Sequence, residues 1–350
     1  MFNLKGKIIN LLALAGCMVI GNTALAQQDS IDFKVRDLLA KMTLTEKIGQ
    51  LNQFSGDLSA PISANKMDDI KQGKVGAVLQ VTGSVNTRTF QDAALQSRLK
   101  IPLIFGADVI HGYRITFPIP LAEAASWDIP AIEKSARIAA AEASSAGVNW
   151  TFGPMVDIAR DPRWGRVMEG AGEDPYLGSV VAAARVRGFQ GNGLGSTDAL
   201  MACAKHFAAY GAAIGGRDYN SVDMSLHTLW EVYLPPFKAA LDAGASTFMT
   251  SFNDFNGTPA VGNNYLQRVV LKGSWGFKGF VVSDWGSINE MIAHGYVKDS
   301  YEAAEVAIKA GTDMDMESRS YSTNLEKLVA DKKVPVSLID DAVTRILRKK

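Results

Sequence analysis

Polar and charged side chains stand directly after several short apolar runs in this chain. The set comprises Asp108, Asp157, Lys205, His206, Asn253, Asp254 and Asp284. One such residue is commonly a helix N-cap or a charge at the rim of a domain. Several together favour a functional site, because a buried charge is costly unless it is paired or used. Carboxylates beside cations could attack a carbon centre, transfer protons or bind a polar ligand.

Two long loops have an unusual composition. The first begins with DPRWGR at residues 161–166 and continues through Glu169 and Glu173. Loops of this length commonly have a function, although we expect Arg163 simply to pair with an acid. The second loop covers residues 211–220 and contains GGRDYN. Its composition is compatible with a part of the site or with a flexible connector.

The composition excludes some classes of protein. The 350 residues are 47% apolar and 21% charged, with 36 basic and 36 acidic side chains. These values exclude a disordered chain and a basic nucleic-acid binder. Neither His111 nor His206 has a partner at ligand spacing and no HExxH motif occurs, so we expect no metal. No GxSxG motif indicates a serine nucleophile, and no cofactor is expected.

The amino-terminal residues have the pattern of an export signal. Two lysines precede an apolar run at residues 8–20 and a small-residue cleavage site ending at Ala26. We predict a signal peptide over residues 1–26 and a periplasmic protein without a transmembrane span. A lipoprotein anchored at Cys17 is the alternative, because Leu-Ala-Gly-Cys also matches a lipoprotein cleavage site. With the signal removed, Cys203 is the single cysteine and no intramolecular disulfide can form.

Short β-rich runs alternate with helical stretches along the chain. The runs lie at residues 75–79, 103–105, 148–152, 200–204, 247–252, 280–282 and 312–316. Strands separated by helices must be parallel, because hairpins need short connections. We therefore predict an α/β fold, a TIM-type (β/α)8 barrel over residues 27–350 that tolerates irregularity in one or two strands. A doubly wound sheet is the alternative, but no glycine-rich dinucleotide loop follows the first run.

Helical signals fall between these runs. Apolar residues have helical spacing at residues 33–42, 131–146, 179–188, 229–243 and 301–310. Thr43 and Glu46 have the spacing of a capping box. An apolar stripe near the end of the chain predicts a last helix that packs on the barrel. Its members are Ile339, Ala342, Val343, Ile346 and Leu347.

Five segments together resemble a known family. They are KHFAAYG at 205–211, GGRDYN at 215–220, VYLPPFKAALDAG at 232–244, SFNDFNGTPA at 251–260 and WGFKGFVVSDWGS at 275–287. From about residue 33 onward, the chain resembles the N-terminal catalytic domain of glycoside hydrolase family 3. The resemblance implies an exo-acting β-glucosidase that retains anomeric configuration through a covalent glycosyl-enzyme. A β-xylosidase or another β-glycosidase of the family is the alternative.

The resemblance also implies roles for individual residues. Asp284, in the SDW motif, would be the catalytic nucleophile. The terminal sugar would be bound through its hydroxyls by Asp108, Arg114, Arg166, Lys205 and His206. Trp285 would form part of the sugar-binding wall, although a tryptophan there could equally be loop packing. We expect the charges of Lys205 and Arg166 to lower the pKa of Asp284.

The chain departs from the family pattern in two respects. Many members have a tyrosine that can donate to the nucleophile where this chain has Phe252. No general acid is evident, and in multidomain members that acid comes from a following domain, which we expect to be missing here. Glu169 and Glu173 are conceivable acids, but ion pairing with the arginines of the first loop is the favoured interpretation.

Two functions of other classes remain open. The chain could be a sugar-binding barrel that does not turn over its ligand. It could also be a Schiff-base lyase, because a lysine at a strand end, such as Lys205, is a plausible nucleophile. A carboxylate near Lys205 would argue against the lyase by raising the pKa of the amine. The expected partner is a β-glucoside or oligosaccharide, with no nucleic acid.

Overall fold

The computed structural model describes residues 30–56 and 64–350. The chain divides into two compact units, one ending at Met42 and the other covering Thr43–Lys350. The described part of the first unit contains helix α1, over residues 30–41. The predicted signal peptide at 1–26, with Cys17 inside it, lies outside the described residues.

The described residues of the second unit contain eight parallel strands. They are β1 (Asn52–Ser55), β2 (Ala77–Leu79), β3 (Ile104–Ala107), β4 (Trp150–Thr151), β5 (Cys203–Phe207), β6 (Thr247–Thr250), β9 (Phe280–Val282) and β10 (Asp315–Met316). The intervening β7 (Asp254–Phe255) and β8 (Thr258–Pro259) form a separate antiparallel hairpin. The pairing orders are β10-β1-β2-β3-β4 and β5-β6-β9. Parallel bridges from Trp150 to Met201 and from Val282 to Met314 join the two sheets at both ends. The strands therefore form a closed TIM-type barrel, as predicted.

Helices surround the strands. They are α2 (Leu44–Gln50), α3 (Ala64–Lys71), α4 (Ser84–Ala94), α5 (Pro120–Ala125), α6 (Ile129–Ser145), α7 (Pro175–Gln190), α8 (Leu226–Thr228), α9 (Pro235–Asp242), α10 (Ser287–Ala293), α11 (Ser300–Ala310), α12 (Ser320–Ala330) and α13 (Val336–Leu347). A π-helical segment, Tyr265–Ser274, follows the hairpin. No helix in the described part of the chain is long and apolar enough to cross a bilayer.

Several sequence predictions are confirmed in detail. Thr43 and Glu46 form the capping box at the start of α2, each side chain accepting from the other's backbone N–H. The apolar stripe of α13 is buried throughout.

One helix prediction needs correction. The helix predicted at 229–243 is interrupted, because Pro235 and Pro236 follow a π-helical turn and start α9.

Two strand predictions need correction. Strand β1 was not predicted, because three of its four residues, Asn52, Gln53 and Ser55, are polar and hide the strand pattern. The run predicted at 200–204 lies too early, since β5 covers Cys203–Phe207. Lys205 and His206 are therefore part of the strand rather than of the loop after it, and both side chains are buried.

The barrel interior is filled by large side chains. Trp150 is fully buried and packs edge-on against Phe152 and Phe280, with ring centroids 4.8 and 5.2 Å apart. Its indole Nε1–H donates to Thr247 Oγ1 at 2.8 Å, which satisfies the one polar atom of the ring. Such a packed interior leaves the open end of the barrel as the place for a ligand.

Candidate active site

The carboxyl ends of the strands bring the predicted site residues together. Asp108 follows β3 directly, Lys205 and His206 lie in β5, and Asp284 lies two residues beyond β9. Strand β5 pairs in parallel with β6, and β6 pairs in parallel with β9. The side chains of Lys205, His206 and Asp284 therefore lie at the same end of the barrel. The four residues are thus neighbours although 176 positions separate the first from the last.

Direct contacts link these side chains. Lys205 Nζ lies 3.0 Å from Asp108 Oδ1. His206 Nε2 lies 3.5 Å from Asp284 Oδ2 and 3.2 Å from a terminal nitrogen, Nη2, of Arg166. The predicted residues Asp108, Arg166, Lys205, His206 and Asp284 therefore form one polar cluster, which we call the pocket cluster.

Arg166 is held by two neighbours besides His206. Its guanidinium forms a bidentate pair with Glu169, through N···O distances of 2.8 and 3.1 Å. Its charge also lies over the ring of Tyr210, 5.5 Å from the centroid. These contacts confirm the ion pair expected for Glu169. They fix a cation beside the pocket with donors in a defined direction.

The two carboxylate oxygens of Asp284 differ in their hydrogen bonding. Oδ1 accepts the backbone N–H of Trp285 at 2.7 Å. Oδ2 is buried and has no hydrogen-bond partner among the described residues. One oxygen is thus anchored, while the other is left without a hydrogen bond in the described part of the chain.

The pKa of Asp284 reflects burial more than charge. Burial raises it to about 6, although the nearby charges of Lys205 and Arg166 lower it, as predicted. The sequence does not reveal that burial outweighs the two cations. The residue is only 8% exposed, so the loss of hydration outweighs the two attractive charges.

His206 and Asp157 form a buried pair behind Asp284. His206 Nδ1 lies 2.8 Å from Asp157 Oδ2, and their side chains are 1% and 0% exposed. Burial and the charges of Arg166 and Lys205 hold the pKa of His206 well below its usual value. Burial raises the pKa of Asp157 to about 7. His206 is therefore a neutral imidazole in this site.

An aromatic cluster adjoins the pocket. Phe252 packs against Tyr219 and Tyr210, with ring centroids 4.5 and 5.8 Å apart. The Tyr210 ring also contacts His206, at 5.1 Å. Trp285 is 57% exposed, as a side chain that receives a ligand face would be.

The second loop is an integral part of this end of the barrel. Asp218 accepts the indole N–H of buried Trp164 at 2.8 Å, which ties the second loop to the first. Tyr219, its neighbour, reaches Phe252. These contacts decide against a flexible connector. In the first loop, Arg163 pairs with Asp161 as expected, at 2.6 Å.

Other predicted residues lie elsewhere. Arg114 is exposed, its backbone N–H donates to Glu142, and within the described ranges no contact joins it to the pocket cluster. Glu173 is exposed as well. Asn253 and Asp254 take part in the hairpin: Asn253 Nδ2 donates to the Asp254 carbonyl at 3.0 Å, and Asp254 Oδ1 accepts the N–H of Gly257, in the turn between β7 and β8, at 2.9 Å.

The sequence does not single out two residues that lie near Asp284. Tyr219 belongs to the GGRDYN motif, which by itself gives the tyrosine no role. Glu290, in the first turn of α10, has a pKa raised to about 7 by burial and by the negative charge of Asp284. In the sequence, only its position six residues after Asp284 indicates that Glu290 lies near the site. Across residues 30–56 and 64–350, no three acidic, histidine or cysteine side chains are grouped to hold a metal ion.

The fold and the site define a class of protein. A closed (β/α)8 barrel carries, at the carboxyl ends of its strands, a pocket in which carboxylates and cations alternate beside exposed aromatic rings. Such a pocket suits a hydroxyl-rich ligand, because each hydroxyl both donates and accepts a hydrogen bond.

Comparison with known proteins identifies the family. The family model for the glycosyl hydrolase family 3 N terminal domain matches residues 43–349. The chain is 46% identical over 320 residues to a periplasmic beta-glucosidase of Salmonella typhimurium, covering 91% of this chain and 42% of the relative. It is 32% identical to a putative beta-xylosidase of Formosa agariphila, covering 92% of this chain and 46% of the relative. This protein belongs to glycosyl hydrolase family 3.

A solved structure agrees with this assignment. The beta-glucosidase of Listeria innocua, in complex with glucose, superposes with a TM-score of 0.87 at 42% sequence identity. The match covers 91% of this chain and 46% of the Listeria chain. The present chain thus spans less than half the length of these relatives.

Proposed function

We propose that this chain is the nucleophile-bearing domain of an exo-acting, retaining β-glucosidase. The observation that carries the proposal is the state of Asp284, whose Oδ1 accepts the Trp285 N–H while its buried Oδ2 has no hydrogen-bond partner among the described residues and lies 3.5 Å from His206 Nε2. A carboxylate with one fixed and one available oxygen is suited to attack an anomeric carbon. The glucosidase names of the Salmonella and Listeria relatives support glucose as the sugar.

The residues of the pocket cluster would bind the terminal sugar. Asp108 offers carboxylate oxygens, while Lys205 and Arg166 offer N–H donors. We propose that these groups hold the sugar hydroxyls and that exposed Trp285 covers one face of the ring. Arg114 remains a proposed contact without support from its position. Attack by Asp284 on the anomeric carbon breaks the glycosidic C–O bond, and the leaving oxygen takes a proton from the general acid. Water, deprotonated by the same group, then breaks the glycosyl-enzyme ester and releases the sugar with retained configuration.

The general acid is proposed to come from a further domain that this chain does not include. Glu169 is engaged with Arg166 and Glu173 is exposed, so neither is a good donor to the leaving oxygen. Retaining enzymes need two carboxyl groups about 5–5.5 Å apart. We also propose export to the periplasm through residues 1–26, in line with the name of the Salmonella relative.

Covalent trapping tests the proposal directly. The purified chain is incubated with an activated aryl 2-deoxy-2-fluoro-glucoside, which forms the intermediate without needing strong acid assistance. We expect the mass of one fluoroglucosyl group on the peptide that contains Asp284. Asp284→Asn should abolish labelling, whereas Asp161→Asn, in an exposed loop pair, should label normally. Labelling of Asp284→Asn would refute the assignment.

The same experiment separates the alternative functions. The corresponding fluoroxyloside should label more slowly than the glucoside, and the reverse would favour the β-xylosidase, which is the name of some relatives. A binding protein without turnover would bind glucose but never label. Borohydride trapping of a carbonyl substrate on Lys205 would favour the lyase. The 3.0 Å ion pair with Asp108 opposes it, because a nearby carboxylate stabilises the charged amine.

A further inference from the structure

Asp157 is a buried carboxylate that contacts His206 and has no part in the proposed reaction. It follows Val156, whose backbone N–H donates to the Lys205 carbonyl at 2.8 Å, so this segment runs beside β5. Its Oδ2 accepts the backbone N–H of His206 at 2.9 Å and lies 2.8 Å from His206 Nδ1. One oxygen therefore holds both the main chain and the ring of His206.

The two sides of the His206 ring face opposite kinds of hydrogen-bonding group. On one side, Nδ1 lies 2.8 Å from Asp157 Oδ2, which accepts the backbone N–H of His206 and can accept a ring N–H as well. On the other side, Arg166 Nη2 lies 3.2 Å from Nε2, and a guanidinium can only donate. Nε2 must therefore present its lone pair. An acceptor on one nitrogen and a donor on the other specify the same tautomer.

We propose that Asp157 is a positioning residue that fixes His206 as the Nδ1–H tautomer and so keeps Nε2 an acceptor beside Asp284. The opposite tautomer would point an N–H at Arg166 and at Asp284 Oδ2, which lies 3.5 Å from Nε2. It would repel the cation and engage the oxygen that must attack. The importance of the tautomer for catalysis rests on the proposed function, whereas its existence does not.

Nitrogen NMR of the full chain tests the tautomer. The sequence has four histidines, so the ring nitrogens can be assigned by single His→Gln variants. In the wild type, His206 should show a protonated Nδ1 and a bare Nε2 at neutral pH. Asp157→Ala should populate Nε2–H, since the acceptor is gone and Asp284 Oδ2 is near. Asp157→Asn should keep Nδ1–H, because its amide oxygen can still accept both N–H groups.

An internal control accompanies the spectra. His111 Nδ1 lies 3.0 Å from the carbonyl of Phe117, remote from Asp157 in the sequence, and its tautomer should not change in either variant. Should Asp157→Ala fail to fold, Asp157→Ser replaces it, and the wild-type spectrum alone already decides the main claim.

Labelling kinetics supply the functional readout. With the fluoroglucoside at saturation, Asp157→Ala should lower the inactivation rate by about 10- to 100-fold, and Asp157→Asn should restore most of it. A wild-type His206 that is cationic or carries its proton on Nε2 would overturn the proposal, as would an Asp157→Ala variant that keeps Nδ1–H. If no variant labels while the tautomer changes as described, the proposed glucosidase function fails and the positioning role stands.

Discussion

Lys205 Nζ lies 3.0 Å from Asp108 Oδ1, although the two residues are 97 positions apart in the chain. The lysine side chain is 5% exposed and the aspartate side chain is 45% exposed, so the pair runs from the buried wall to the rim of the pocket. The two charges act on Asp284 in opposite directions, since Lys205 lowers its pKa and Asp108 raises it.

The first prediction concerns the acid limb of the labelling reaction. Only ionised Asp284 attacks, so the rate constant for labelling at low fluoroglucoside concentration should fall as pH drops through about 6. Lys205→Met removes a charge that favours ionisation and should move this limb to higher pH. Asp108→Asn should move it to lower pH. Shifts in the same direction for both variants would contradict this account.

The second prediction concerns stability and its pH dependence. The pKa of Asp284 is about 6 in the folded protein against a usual value of 3.8, so its ionised form opposes folding above pH 6. Asp284→Asn should therefore raise the free energy of unfolding by about 3 kcal/mol at pH 8. Below the unfolded pKa of 3.8 both states are protonated, so the gain should fall as the pH drops below 6 and nearly vanish at about pH 3. Denaturant unfolding at both pH values measures it, and a constant gain would contradict the explanation.

The third prediction compares two ion pairs of α7. Arg185 pairs with Glu123 of α5, with side chains only 5% and 7% exposed, and also donates to the Ile110 carbonyl. Glu123→Gln should cost about 3–5 kcal/mol of unfolding free energy, because it leaves a buried cation without its counter-charge. The matched control is Glu133→Gln, which breaks the exposed pair with Arg187 and should cost at most about 1 kcal/mol. An equal loss of unfolding free energy in the two variants would show that burial does not determine the strength of these ion pairs.

The fourth prediction concerns how the second loop is seated. A Cβ at Gly211 would lie inside van der Waals distance of the Ile158 carbonyl and 3.2 Å from the Trp164 ring. Gly211→Ala should therefore displace the loop that carries Tyr219, lowering both the melting temperature and the labelling rate. Gly165→Ala, in the first loop, meets no atom within 4 Å and is the matched control. Normal labelling and melting of Gly211→Ala would show that the loop adapts.

The sequence predicts most of the barrel strands, but it does not predict a strand that is rich in polar residues. The barrel could be predicted because apolar strand runs and alanine-rich helices alternate with a regular spacing. Strand β1 was missed because Asn52 and Gln53 interrupt that pattern. Both are buried, and Asn52 Nδ2 lies 3.5 Å from the Lys74 carbonyl, 22 residues away, whereas the side-chain nitrogen and oxygen of Gln53 have no partner among the described residues. Propensity and periodicity contain no information about such contacts.

The sequence predicts which residues form the site, but it does not predict the direction in which the pKa of Asp284 shifts. The motifs selected Asp108, Lys205, His206 and Asp284 correctly as neighbours, because parallel strands end at one face of a barrel. The sign of the pKa shift of Asp284 depends on how completely the fold removes water from it. The role of Asp157 depends on a 2.8 Å approach to His206 Nδ1 across 49 residues.

The sequence alone determined the kind of protein, because strand and helix periodicity and the motifs around Asp284 are local properties of the chain. Tertiary structure alone decided which charges meet, how deeply Asp284 is buried and which nitrogen of His206 carries the proton. Those properties arise from distances of about 3 Å between residues far apart in the chain, where hydrogen bonding and desolvation change steeply with position.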